Sequence, residues 1–242
     1  MNKIISGILY ASHTQRTNLS PTILYNEGWM IRILVAASIE SGIKLPGVDF
    51  SCINYWYSEG LLSSPFLRSN NKLAEGYTHV DMAIGNFEVG HDGKGDLKVI
   101  GKTGIFGVIE AKMGSPLARG TKNAPDYNQA SRNLACIAFN TLYTNHKISF
   151  AVVAPAKKIT KHRMKEKAGM DLMLKQIETR FNSYSGDEMV YSLRDSVLDR
   201  ASTCICSVIS YEDWIDLFIG TDTEKDLTVF YERCLEFNRI GK

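Results

Sequence analysis

Apolar positions recur at helical spacing over residues 22–41, where Ile23, Leu24, Ile31, Leu34, Val35 and Ile39 fall on one side of a cylinder. Ser20 and Pro21 ahead of them supply a cap and a proline for the first turn, and Gly42 supplies a stop. Residues 45–71 are rich in aromatics, with Tyr55, Trp56 and Tyr57 in a row and a break at Ser63-Ser64-Pro65, and they follow no clear period. From Gly76 the pattern turns to strands. Residues 79–89 read as one strand, 90–96 as a polar turn, 97–100 as a short continuation and 104–113 as a second strand. A helix follows over 123–144, carried by Ala130, Leu134, Ile137, Ala138 and Leu142. Residues 148–154 form an unbroken apolar run, as a strand buried on both faces requires. The rest reads as a helix at 160–182, a strand at 203–210 and short helices at 211–219 and 223–238. Helix, strand pair, helix and buried strand in that order predict a layered α/β domain spanning 1–242.

Composition adds limits. The 242 residues carry 28 basic and 26 acidic side chains, too even a balance for a polybasic protein that coats a duplex, although a local basic groove is compatible with it. The net hides a gradient: residues 157–180 hold eight basic against three acidic side chains, and residues 211–239 hold three against eight. A polyanion is drawn to the first segment and repelled by the second, unless the first is only a solvated helix face. Cys52, Cys136, Cys204, Cys206 and Cys234 have no metal-binding or redox spacing and read as reduced core residues, which predicts a cytoplasmic location. No apolar stretch is long enough to span a membrane, and the first residues read as an ordinary terminus. Gly101-Lys102-Thr103 lacks the earlier glycine and the following helix of a phosphate loop, so no nucleotide cofactor is expected. Residues 92–96 lack the bidentate glutamate of a calcium loop and read as a hairpin turn.

Three residues are charged where the strands should be apolar: Asp81, Glu110 and Lys112. Alternation puts Glu110 and Lys112 on the same side of the sheet, and strand pairing brings Asp81 beside them. Burying these charges costs several kcal/mol per ion, roughly, unless close pairing or a metal compensates. Mg²⁺ suits such a site because it takes carboxylate oxygens while keeping several waters, and it acidifies a bound water. A nearby ammonium orients that water or stabilises charge on phosphorus. The competing interpretation is an Asp81–Lys112 ion pair with Glu110 at the surface.

Val80-Asp81, a gap of 29 residues, and Ile109-Glu110-Ala111-Lys112 together resemble the split motif of the PD-(D/E)XK nuclease superfamily, with His79-Val80 where the motif's proline stands. The resemblance covers about residues 22–155. It implies a restriction-endonuclease-like α/β fold, a central mixed β-sheet flanked by helices with an αβββαβ core, and it leaves about 156–242 as a C-terminal α/β extension. It further implies that Asp81, Glu110 and the Ala111 backbone carbonyl ligate Mg²⁺, for which Mn²⁺ substitutes, and that Lys112 positions the attacking water. Glu27, on the apolar face of the first helix, would support a metal water or a second ion, and Gln129 would orient Lys112 or the phosphate. Arg119, Lys122, Arg132, Lys157, Lys158 and Lys161 are candidate DNA-backbone contacts. The implied activity is metal-dependent hydrolysis of DNA, duplex DNA foremost, by an endonuclease of restriction type or an exonuclease. A homodimer is a further expectation, since many relatives cut as dimers. The alternative is a catalytically silent member that binds nucleic acid or protein. His79 reads as a core or groove residue rather than a catalytic one, and at least two of Tyr55, Trp56 and Tyr57 as core rather than base-stacking.

Overall fold

The computed structural model describes residues 20–66, 75–90, 95–120 and 124–238. Lys122, Arg239, the first nineteen residues and the middle of the polar turn lie outside them. A five-stranded mixed sheet organises the fold, in the order β3 (Trp56–Leu62), β4 (Thr78–Gly85), β7 (Thr103–Ala111), β8 (Asn145–Ala154), β9 (Ile205–Ser210). β3 with β4 and β4 with β7 pair antiparallel, while β7 with β8 and β8 with β9 pair parallel. Parallel neighbours need crossovers. These are α3 (Gln129–Asn140) between β7 and β8, and α4 (Ala156–Lys161), α5 (Met164–Lys167), α6 (Met170–Asn182), α7 (Glu188–Tyr191) and α8 (Arg194–Ser202) between β8 and β9. Two small ribbons, β1 (Lys44–Leu45) with β2 (Val48–Asp49) and β5 (Phe87–Val89) with β6 (Leu97–Val99), complete the strands.

Both faces of the sheet are covered. On one side Val108, Phe150 and Val152 pack with Leu134 of α3, Ile177 and Phe181 of α6 and Val197 of α8. On the other, Met82, Ile109 and Val153 pack with Met30, Ile31 and Leu34 of α2 (Glu27–Ser41), Trp214 of α9 (Tyr211–Ile215) and Leu227 of α10 (Asp222–Phe237). Residues beyond 155 therefore share both cores with the earlier ones. Among the described residues no helix is long and apolar enough to cross a membrane.

Several expectations are corrected. The first helix is two helices, α1 (Pro21–Leu24) and α2, because Asn26 leaves the helical conformation to accept a hydrogen bond from Trp29 N at 3.0 Å. Gly42, left-handed at φ 63°, ends α2 as expected. The stretch without a period holds edge strand β3, half-buried along most of its length, so no alternation marks it. Residues 79–89 divide at Gly85, whose φ of 109° turns the chain so that Asn86 N donates to Ile105 O at 2.8 Å and the chain leaves the main sheet. The helix expected over 123–144 is shorter at both ends, Gln129–Asn140: it starts where its apolar spacing does, after Asn128, whose Oδ1 accepts from Ser131 N at 2.9 Å. Residues 160–182 form three pieces, with Arg163 at φ 52° between two of them. The five cysteines are free; Cys136, Cys204 and Cys234 are buried and the half-buried Cys206 packs against the core, so the core assignment fails only for Cys52, which is exposed.

Candidate active site

The charged residues meet where the β4–β7 ladder ends. Its last pair is Met82 with Ile109. Beyond it the Ala111 amide donates to a side chain, Asp81 Oδ2, at 2.7 Å. Lys112 N returns to the sheet by donating to Val153 O of β8 at 2.8 Å, which fixes the backbone on either side of the lysine. Alternation then directs Glu110 and Lys112 the same way, and the Lys112 ammonium hydrogen-bonds Glu110 Oε1 while lying 3.7 Å from Asp81 Oδ2. One cation thus serves two carboxylates.

α3 closes over Glu110. The Asn128 cap places Gln129 in the first turn and Asn133 one turn later on the same face. Gln129 Nε2 donates to Glu110 Oε1, and Asn133 Nδ2 donates to Oε2 at 2.8 Å. Glu110 is fully buried, Lys112 nearly so, and Asp81 half-buried. Burial and the Asp81 charge push the Glu110 carboxyl up to about 8, with Lys112 and Asn133 working against the rise. Burial opposes the Lys112 charge, but Glu110 and Asp81 outweigh it and hold its pKa above the ordinary lysine value. The arrangement differs from a simple Asp81–Lys112 pair with a surface Glu110, since Glu110 is the buried partner.

Glu27 approaches from α2 and accepts from Met113 N at 2.7 Å, one residue past the lysine. Burial raises its pKa, while the Met113 amide and Lys112 pull it back. Gln129 Oε1 also accepts from Ala118 N at 3.3 Å, tying the loop after Lys112 to α3. Asp81, Glu110, Lys112, Gln129 and Glu27 are therefore all drawn to one end of the sheet.

Of the expected DNA contacts, Arg119, Lys157 and Lys161 are exposed and Lys158 is half-exposed. Lys157, Lys158 and Lys161 lie on α4, which leaves the same end of β8 that receives Lys112 N. Arg132 is half-buried, and its charge acts on Tyr127 and Cys136, which are buried. Arg180, counted in the basic segment, is buried on Glu75 at 3.0 Å and covered by Phe66 and Tyr184, so it is no part of that surface. His79 is exposed.

Two groups escaped the sequence reading. Asn133 had a signal, its spacing of four from Gln129. Tyr211 had none: it opens α9 after β9, is fully buried, and its hydroxyl has no hydrogen-bond partner among the described residues. Burial raises its pKa most, followed by the charges of Glu27 and Asp81.

Among the described residues no group of three or more His, Cys, Asp or Glu gathers as a ready-made metal cage. Two carboxylates on adjacent strands that already share a positive charge are nevertheless donors of the kind a hard, water-keeping cation takes. Compared with family models, curated proteins and solved structures, the chain matches none.

Proposed function

We propose that the protein is a Mg²⁺-dependent DNA nuclease of PD-(D/E)XK type. The observation that carries this reading is the contact of the Lys112 ammonium with both Asp81 and Glu110 at the end of β7. The succession of α2, β3, β4, β7, α3 and a parallel β8 supports it, because it is the order such a core requires. Asp81, Glu110 and the Ala111 carbonyl would hold the ion. When bound, Mg²⁺ supplies charge stabilisation at the scissile phosphate and acidifies the attacking water.

The chain's own groups do the remaining work. Lys112 donates to the water or to a phosphate oxygen, and its placement by two carboxylates keeps it charged. Gln129 and Asn133 fix the plane of the Glu110 carboxylate. Glu27 holds the backbone after the lysine. The lysines of α4 attract the phosphate backbone without regard to sequence.

One observation favours a catalytically silent binding module instead: both Glu110 oxygens already have donors, and the residue is wholly buried. The two readings separate in one experiment. Supercoiled plasmid, linear duplex and single-stranded DNA are incubated with Mg²⁺ or Mn²⁺ and either the wild type or Lys112→Ala. Metal-dependent cutting that disappears in the variant supports the nuclease. Cutting that persists in Lys112→Ala rejects the assigned mechanism, and binding without cutting by the wild type selects the silent module.

A further inference from the structure

We infer that Trp29 and Arg32 form a stacking platform at the rim of the site, and that the DNA it takes is a single-stranded segment. This rests on the nuclease reading above. On α2 the residues at 27, 30, 31 and 34 face the sheet, so Trp29 and Arg32, one turn apart, face outward. Trp29 is 41% exposed, although its indole is among the most costly surfaces to leave in water. It is also held in place. Its backbone N–H donates to Asn26 Oδ1, which fixes the first turn of the helix, and the Arg32 guanidinium lies 5.4 Å from the ring centroid. Arg32 is anchored in turn to β3, through Nε to Ser58 Oγ at 2.8 Å and Nη2 to Glu59 at 3.7 Å.

That anchor leads to the candidate chemistry. The β3–β4 register pairs Ser58 with Met82 and Gly60 with Val80, which leaves Glu59 opposite Asp81. Glu59 takes a left-handed φ of 59°, uncommon for a glutamate, and its charge acts on Glu27. Gly28 allows the close fit, since a Cβ there would come within 3.3 Å of Arg32 Nη1. Trp29, Arg32 and Glu59 are thus linked side chain to side chain, and the strand register sets Glu59 across from Asp81, the proposed metal-binding carboxylate.

An indole stacks on the face of a base. In a continuous duplex those faces are covered by neighbouring base pairs, whereas an unpaired strand offers them freely. A flanking guanidinium adds a cation for the base or the phosphate. Ordering both side chains before the strand arrives lowers the entropy lost on binding.

The test measures binding in EDTA, so that no cleavage intervenes. A fluorescein-labelled oligothymidylate of about twenty nucleotides is compared with a blunt hairpin duplex, chosen to exceed the site size of typical single-strand grooves. The proteins are wild type, Trp29→Ala, Trp29→Phe and, as a control, Tyr143→Ala. Tyr143 is 90% exposed but lies before β8, at the sheet end away from Lys112. The expected result is preference for the single strand, quenching of tryptophan emission by unlabelled strand, and a loss of about tenfold in Trp29→Ala. Trp29→Phe retains most of the affinity and Tyr143→Ala all of it. Wild-type affinity in Trp29→Ala, emission unmoved by the strand, or an equal loss on duplex and single strand overturns the platform. The plasmid assay keeps the two proposals apart: cleavage by the wild type beside unchanged binding in Trp29→Ala sinks the platform alone. A wild type that neither binds nor cuts DNA removes both.

Discussion

Asp81 Oδ2 accepts the Ala111 amide at 2.7 Å and lies 3.7 Å from Lys112 Nζ, so one carboxylate oxygen serves both the backbone of β7 and the cation that follows it. The side chain that would bind a metal is thereby also a structural link between two strands. Asp81→Asn should keep part of that link while removing a charge. It is expected to fold, to lose cleavage, and to bind Mg²⁺ more weakly than Lys112→Ala does, by calorimetry. Stronger Mg²⁺ binding in Asp81→Asn than in Lys112→Ala would contradict the ligand assignment.

The Glu110 carboxyl sets a pH dependence for the metal-free protein. Its pKa rises from an ordinary 4.5 to about 8 in the folded state, because of burial and then Asp81. Between those values the folded chain holds a proton that the unfolded chain releases. Stability from this group is therefore full below the lower value and is lost as pH rises through the upper one. Thermal unfolding in EDTA should give a higher Tm near pH 6 than near pH 8.5, and Glu110→Gln should flatten the difference. Mg²⁺, which competes with that proton, should raise Tm more at the higher pH. A Mg²⁺ response independent of pH would count against Glu110 as a ligand.

Asn133 donates to a carboxylate with no access to solvent. Asn133→Ala removes that donor, and the expected cost is about 1–3 kcal/mol of stability, read as a lower midpoint in urea. Cleavage should fall as well, because the Glu110 plane is no longer fixed. An unchanged midpoint would mean that Glu110 finds another donor.

Glu75 and Arg180 are a second buried pair, packed under Phe66 and Tyr184 on the α3 and α6 side of the sheet. Glu75→Ala should destabilise by about 3–5 kcal/mol, since the guanidinium keeps its charge without this carboxylate. Cleavage per folded molecule should be preserved. A variant that is stable but inactive would assign this pair a role in the chemistry.

The α4 lysines act at longer range. Replacing Lys157, Lys158 and Lys161 together should weaken DNA binding at low salt and reduce the slope of log K against log salt by up to about 2–3. An unaltered slope would return that segment to being a solvated helix face.

Much of the site was legible because charge on an apolar strand is a local anomaly. Asp81, Glu110 and Lys112 are charged within runs that otherwise alternate or stay apolar, and strand geometry is enough to bring them together. Glu27 was legible through its phase on an otherwise apolar helix face, whereas Gln129 entered only through the resemblance to the nuclease motif. Elements and residues whose surroundings come from distant parts of the chain were not. β3 lies at the sheet edge, half-buried, and has no periodic signature. Glu75 and Arg180 sit 105 positions apart, so nothing local distinguishes the arginine from its solvated neighbours. Tyr211 reaches Glu27 and Asp81 only because β9 joins the sheet beside β8. The break at Asn26 was set by a single capping asparagine, which overrides apolar spacing that would continue the helix, and Asn128 caps the start at Gln129 in the same way.

The packing of α10 against α2 has a consequence for the order in which the protein is made. α2 carries Glu27, yet the surface covering it includes Leu227, Tyr231 and Cys234, and Asn238 donates to Tyr25 O at 2.7 Å. A ribosome has to release more than two hundred residues after Glu27 before that whole surface exists. Until then α2 has no complete seat on the sheet, and the five side chains of the site cannot all be held at once. The seat of Glu27 is therefore completed by side chains some two hundred positions downstream, and a chain that stops short of them leaves α2 partly uncovered.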